Sequence, residues 1–387
     1  MIDTRNYSQF AITGEQREIG NLAREIAEGE IAPHIAQWDR EHTFPRGLYG
    51  KLNDAGLMGI TVAEKYDGVG ADYVSYVLAI EEFARVDAGT AVTLSVHSMI
   101  GSALERLGSE AQKQQYLPRL AAGNVIAGFA LTESDAGSDA GSLRATATRE
   151  ADEYVLRGRK QWCTNGSYCG VMLGMFRTGG PGPKGISSFL IENPLPGLVV
   201  EKVTEKLGIH TSNTCDLAFD DVRVPASALV GNEGEGFSKA MQALAGGRIG
   251  IAAQAVGILA ACLDASVKFA KERSAFGKPI GAFEGISFKI AQMATDLDAA
   301  RLLVYRAAAL CDRGEPFVIE ASKAKLFAST AARKHAAEAV QIHGGYGYTT
   351  EFPVERYYRD AKITEIYEGT SEIQQIIIAR SLLGRLE

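Results

Sequence analysis

The chain changes its hydrophobic period twice. Residues 1–123 and 233–387 carry apolar positions at helical spacing, while residues 124–232 break into short, often alternating runs separated by Gly, Pro, Asn and Asp. This order of helices, then strands, then helices constrains the fold more than any single motif. A doubly wound nucleotide fold requires strands and helices in alternation, and that pattern does not occur here. The expectation is an α+β protein: an N-terminal helical domain over 1–123, a compact antiparallel β-domain with hairpins over 124–232, and a helical domain over 233–387.

Local signals place the helices. Thr13 with Gln16 and Ser109 with Gln112 have capping-box spacing, and a helix beginning near Ser371 would complete a third box with Gln374. Pro118 and Gly123 are expected to interrupt the helical pattern before the β-region. Ile290, Met293, Leu297, Val304 and Ala308 form one long apolar stripe. A further helix over 317–342 is expected to end at the turn HGGYG.

Composition removes several classes of function. With 40 Lys and Arg against 47 Asp and Glu, the net charge is −7, which opposes nucleic-acid binding. The five cysteines are an odd count without a C-x-x-C pair, so neither a disulfide framework nor a zinc site is expected. Spacing of the six histidines points to no metal set. The N-terminal MIDTRNYSQF lacks the apolar core of a secretory signal. The uncharged stretches 88–104 and 249–263 fall short of about twenty strongly apolar residues. A soluble, cytoplasmic protein with no membrane association is expected.

Gly180, Gly182 and Gly185 match G-x-G-x-x-G, but strand-like runs lie on both sides and two prolines lie inside. A hairpin loop is the better reading, because a dinucleotide fingerprint must open a helix. Four other segments are informative. Leu131–Asp139 could bind an anion or the edge of a planar ring through hydroxyls and amides around Gly137, or be a plain Ser/Asp turn. In Gln161–Gly166, Trp162 and Thr164 share a strand face, which suits either a flat heterocycle or the core. Gln341–Tyr348 ends a long helix with three glycines, for close approach to a ligand or simply for a turn. Tyr367–Glu372 places Glu368 in a loop before a capped helix, with Gly369 leaving room for a ligand; the carboxylate is either catalytic or merely solvated.

Taken together, these segments resemble the acyl-CoA dehydrogenase family of flavoproteins. The resemblance rests on Ala130-Leu-Thr-Glu-x-x-Ala-Gly-Ser-Asp139 and on Gln341-x-x-Gly-Gly-x-Gly-Tyr-x-x-Glu351, continued by Arg356 and Asp360. It extends to the segments around Asp87, Gly208, Arg248 and Arg273, nearly the whole chain. It implies that the C-terminal domain is a four-helix bundle, that the cofactor is FAD, and that the assembly is a homotetramer built as a dimer of dimers. Phe129, Leu131, Thr132, Gly137, Trp162 and Thr164 match positions around the flavin ring, and Ser138 a position near pyrophosphate and thioester. Arg273, Phe276, Gln341 and Gly345 match positions reaching a neighbouring subunit's FAD. Gly369, Thr370 and Glu372 match cofactor contacts after the catalytic loop. Tyr367 and Arg248 are matched to substrate binding, Arg248 as a cation for the CoA phosphates, and Glu368 to the catalytic base.

The implied reaction is dehydrogenation of an acyl-CoA to a trans-2-enoyl-CoA, with electrons passed to an electron-transfer flavoprotein. Gly247 stands where isovaleryl-type and long-chain members carry their base, so Glu368 is expected to be the only one. No Arg occurs in Gly89–Thr93, against a dicarboxylic substrate. The C-terminal half is most similar to short-chain, butyryl-type members, and the acyl cavity is expected to be closed around Leu94–Met99. Three residues depart from the family pattern. Ala245 replaces an Asp that contacts CoA, His210 replaces an Arg, and Glu284 replaces a Gln. Ala245 keeps a carrier-protein thioester open as the substrate, beside branched-chain acyl-CoA.

Overall fold

The computed structural model describes residues 12–123 and 125–384. The N-terminal MIDTRNYSQF segment and Asn124 lie outside them. Six helices come first: α1 (Gly14–Ile26), α2 (Ile35–Glu41), α3 (Arg46–Asp54), α4 (Tyr73–Val86), α5 (Ala88–Leu107) and α6 (Glu110–Ala121). Both capping boxes form. Thr13 N donates to Gln16 Oε1 at 2.9 Å, and Gln16 N donates to Thr13 Oγ1 at 3.2 Å. Ser109 and Gln112 repeat the exchange at 3.0 and 3.2 Å. Pro118 does not interrupt α6, which runs through it; the chain turns only at Gly123, with φ of +59°.

Seven strands follow: β1 (Ile126–Ala130), β2 (Thr146–Glu150), β3 (Glu153–Thr164), β4 (Cys169–Arg177), β5 (Ile186–Glu192), β6 (Leu198–Val203) and β7 (Thr214–Pro225). They form one sheet in the order β1-β4-β2-β3-β7-β6, with β5 paired to β4. Most pairs are antiparallel as expected, but β1 runs parallel to β4 and β2 touches β4 through one parallel pair. Gly180–Gly185 lies in the connection between antiparallel β4 and β5, a hairpin loop.

The C-terminal helices are α7 (Gly236–Glu272), α8 (Glu284–Asp312), α9 (Val318–His343), the short α10 (Val354–Ile363) and α11 (Ser371–Leu383). A two-stranded ribbon, β8 (Ser274–Ala275) with β9 (Lys278–Pro279), projects between α7 and α8. Contrary to the expectation from its uncharged stretch 249–263, helix α7 contains an 18-residue window apolar enough to cross a membrane; 83% of that window is buried in the fold. Its glycines permit this. A Cβ on Gly250 would lie 2.3 Å from both Ser95 Oγ and Tyr76 Oη, so α4 and α5 can approach only a bare backbone. Glu81 on α4 accepts from Arg301 Nη2 (2.6 Å) and Tyr305 Oη (3.1 Å) on α8, a buried, fully bonded charge joining the two helical domains.

Helix α11 starts differently from its expected cap. Thr370, not Ser371, is the N-cap, with its hydroxyl accepting from Ile373 N. The Gln374 side chain instead donates to Gly369 O at 2.8 Å.

Candidate active site

A cavity of about 540 Å³ opens where the sheet meets α7 and the loop between α10 and α11. Its sheet side is built from the end of β1, the 131–140 loop and the end of β3. Phe129, Leu131, Thr132, Gly137, Ser138, Trp162 and Thr164 all line it. Trp162 and Thr164 do share a face, but not through regular alternation. The β3–β7 register slips between Lys160 and Cys163, and Trp162 has φ of +55°. This bulge re-aims the indole. Trp162 N is secured to Asp216 Oδ1 at 3.0 Å while the side chain remains 57% exposed.

A second wall is the 204–214 segment, held by three carboxylates from the helices. Thr211 Oγ1 donates to Asp87 Oδ1 at 2.7 Å, and Asp87 also caps α5 through Gly89 N and Thr90 N. Ile209 N donates to Asp360. His210 is clamped between Asp39 and Lys206: Nδ1 lies 3.1 Å from Asp39 O and 3.0 Å from Asp39 Oδ1, and Nε2 lies 2.9 Å from Lys206 O. Asp39 lifts the His210 pKa above its usual value. The anion itself, hydrogen-bonded by His210 and Arg359, is held well below the usual carboxylate range despite its burial.

On the third side stand Arg248, Tyr367, Glu368, Gly369 and Thr370. Glu368 and Gly369 take consecutive left-handed conformations, with φ of +54° and +93°. Glu368 is half-buried, but its Oε2 is buried and has no hydrogen-bond partner among the described residues. Burial pushes its pKa up to about 7, and the cations Lys325 and Arg248 oppose the rise. The Glu368 N–H donates to no backbone carbonyl among the described residues. Tyr367 Oη donates to Gln254 Oε1, and Gln254 Nε2 to Ala88 O at 2.7 Å.

Two placements differ from the sequence reading. Arg248 is only 4% exposed, with Nε unpaired among the described residues, and it faces Glu368. It is therefore a buried neighbour of the carboxyl group and not a surface cation for the CoA phosphates. Glu372 is exposed on α11 and does not line the cavity. Ala245 is buried and does not line it either. Met99 packs against Gly247, behind Glu368.

The residues matched to a neighbouring subunit's cofactor lie elsewhere. Arg273 and Gly345 line a separate cavity of about 480 Å³ with Phe269, His343 and Tyr346. Gln341 is exposed nearby, and Phe276, on the turn of the β8–β9 ribbon, is 95% exposed. Lys325 and Gln254, to which no motif points, and Gln374, expected only as a cap, support the Glu368 loop from helices. A Lys in the small-residue stripe Ala321, Ala324, Ala328 was the one available signal.

The main cavity fits a flavin. An exposed indole, a Phe and two Thr side chains line one wall, and on another stands a carboxyl whose buried Oε2 has no partner among the described residues.

The family models for the acyl-CoA dehydrogenase N-terminal, middle and C-terminal domains match residues 13–124, 128–222 and 234–383. An acyl-CoA dehydrogenase of Bacillus subtilis is 50% identical over 96% of this chain and 99% of its own. The mitochondrial short-chain specific acyl-CoA dehydrogenase of Mus musculus is 46% identical over 97% and 92%. Among solved structures, butyryl-CoA dehydrogenase from Megasphaera elsdenii superposes with a TM-score of 0.95 at 43% identity, covering 96% of this chain and 99% of that one. A chain from a structure described as the electron transferring flavoprotein of Acidaminococcus fermentans gives 0.96 at 44%, covering 97% and 100%. A glutaryl-CoA dehydrogenase from Mycobacterium smegmatis in complex with FADH2 gives 0.93 at 30%, covering 99% and 97%.

Proposed function

The chain belongs to the FAD-dependent acyl-CoA dehydrogenase family, and from that premise we propose that it converts saturated short- to medium-chain acyl-CoA thioesters to trans-2-enoyl-CoA. One observation carries the reading. Glu368 buries an oxygen, Oε2, that has no hydrogen-bond partner among the described residues, on a cavity that also presents Trp162 and Thr164.

Phe129, Leu131, Thr132, Trp162 and Thr164 would hold the flavin ring, and Ser138 the region between pyrophosphate and thioester. When bound, FAD supplies the acceptor for the β-hydride. Glu368 takes the α-proton. A base with a pKa near 7 is matched to work at neutral pH. An unactivated α-proton is too weakly acidic for a carboxylate, so the thioester carbonyl must be polarised. The N–H of Glu368, which donates to no backbone carbonyl among the described residues, would donate to it, a contact of a kind whose loss costs about 10²–10³ in rate.

Short-chain preference is supported by the named mouse and Megasphaera relatives. Branched chains remain the second reading at this site. A carrier-protein thioester is not favoured, because Ala245 lies away from the cavity. Electron delivery to an electron-transfer flavoprotein is supported by the Acidaminococcus neighbour. We place the enzyme in the cytoplasm as a dimer of dimers; the uncovered Phe276, Tyr348 and Phe288 (95%, 89% and 66% exposed) support burial by another protomer.

Butyryl-CoA should bleach the flavin of the purified holoenzyme anaerobically. Glu368→Gln should keep the yellow cofactor and lose that bleaching. A variant that bleaches at the normal rate would remove Glu368 from the role of base.

A further inference from the structure

Lys325 is buried on α9 among Ala321, Ala324 and Ala328, with no exposed surface. An ammonium in such a stripe is costly unless its surroundings use it. Nζ donates to Thr364 O at 3.0 Å and to Gly369 O at 2.8 Å, two main-chain carbonyls on either side of the catalytic carboxylate. Gln374 Nε2 donates to the same Gly369 carbonyl at 2.8 Å.

We infer that Lys325 is a positioning residue for the reaction: its ammonium ties both ends of the Thr364–Gly369 turn, holding Glu368 in its left-handed conformation with the carboxylate facing the cavity. The inference rests on the reading of Glu368 as the base. A non-glycine residue at positive φ persists only where its surroundings over-determine it, and Glu368, with φ of +54°, is such a residue. Lys325 and Gln374 supply that constraint from two different helices.

A neutral donor could satisfy the same carbonyls, so the charge requires its own account. The titratable or charged groups facing Lys325 are Glu368, Arg248 and Glu365. Glu365 is already taken by Arg333 at 2.8 Å and Lys362 at 2.7 Å. Glu368 is then the acid left to feel the ammonium. Burial lowers the Lys325 pKa to about 8, and Glu368 opposes that fall. Lys325 therefore acts on the base twice, by fixing its backbone and by favouring its ionised form.

The test compares wild type, Lys325→Met and Lys325→Arg as flavin-loaded holoenzymes. The readouts are the pH profile of kcat/KM with butyryl-CoA and hydrogen exchange in residues 364–374. K325M should load flavin and lose about 10²-fold in kcat, with KM changed less than about 3-fold. The acid limb of its profile should move to higher pH, because the carboxylate has lost a cation, and exchange around Gly369 should accelerate. K325R should bring the limb back toward wild type. A folded K325M with an unmoved limb and unchanged exchange would overturn the inference, as would a limb that K325R fails to restore. If K325M does not fold, Lys325→Gln carries the same readouts; if that variant also fails to fold, Lys325 is a packing residue and the inference falls. Should butyryl-CoA fail to bleach even the wild type, it is the reading of the reaction that fails, and hydrogen exchange still decides whether Lys325 holds the loop.

Discussion

The Oε2 atom of Glu368 lies 3.0 Å from where a Cβ would stand on Gly247, and Met99 Sδ lies 2.6 Å from the same point. The Glu368 carboxyl, a bare helix backbone and Met99 therefore meet in one spot. Gly247→Ala forces Met99 to move and presses on the carboxylate. It should fold with a loss of about 1–3 kcal/mol, typical of overpacking, and lower kcat at least tenfold by displacing the base. Stopped-flow bleaching beside a urea titration checks both; an unchanged kcat would show that Met99 alone gives way.

Activity should track the ionisation of Glu368. A base must be deprotonated, so kcat/KM should fall as pH drops below about 7, the value to which burial raises this group. A profile flat from pH 6 to 8 would contradict this.

Stability should follow the opposite sign. A carboxyl whose folded pKa is above its unfolded value binds more protons folded than unfolded between the two, so stability declines as pH rises through that window. For Glu368 the window runs from 4.5 to about 7, and roughly 1.4 kcal/mol per unit makes the loss about 3 kcal/mol. Asp360, buried and also raised to about 7, adds to the same decline. Glu368→Gln should therefore be more stable than wild type at pH 8 and show little difference near pH 4.5. Urea midpoints at the two pH values decide it.

His210 supplies a contribution that is lost in the alkaline direction. Its two ring nitrogens face only acceptors, Asp39 and the Lys206 carbonyl, so the clamp needs the doubly protonated ring. With its folded pKa raised above the unfolded value, the stabilisation is complete below the unfolded pKa of about 6.5 and disappears as pH rises through the folded one. Histidine-to-glutamine at 210 should cost about 1–3 kcal/mol below pH 6 and much less above pH 8, whereas His210→Arg should remove the pH dependence. Chemical denaturation across pH 5.5–8.5 is the measurement.

Trp162 should matter to cofactor and little to fold. Because its indole is mostly exposed, Trp162→Ala should change unfolding free energy of the flavin-free protein by only about 0.5 kcal/mol. The same change should weaken flavin retention on dialysis. A large loss of apoprotein stability would assign the ring to the core instead.

Much of the architecture was legible because its signals are short-range. Thr13 with Gln16 and Ser109 with Gln112 each close a capping box within three residues. The misreadings were local competitions that the tertiary structure resolved. Gln374 was available to cap α11 but is used by Gly369 O, so Thr370 takes the cap alone. Pro118 stays inside α6, and β1 lies parallel to β4, because neither outcome depends on neighbouring residues alone.

The chemistry divides along the same line. Residue types and order by themselves determined the α–β–α architecture, since periodicity is a property of the chain; the resemblance of whole motifs to a family, not spacing alone, singled out the cavity residues and Glu368. Only the tertiary structure decided that Glu368 buries its Oε2 and is raised to about 7, that Arg248 faces it, and that Lys325 grips a carbonyl 44 residues away. Burial and electrostatics depend on what surrounds a group in space, and here those surroundings come from helices far apart in the sequence.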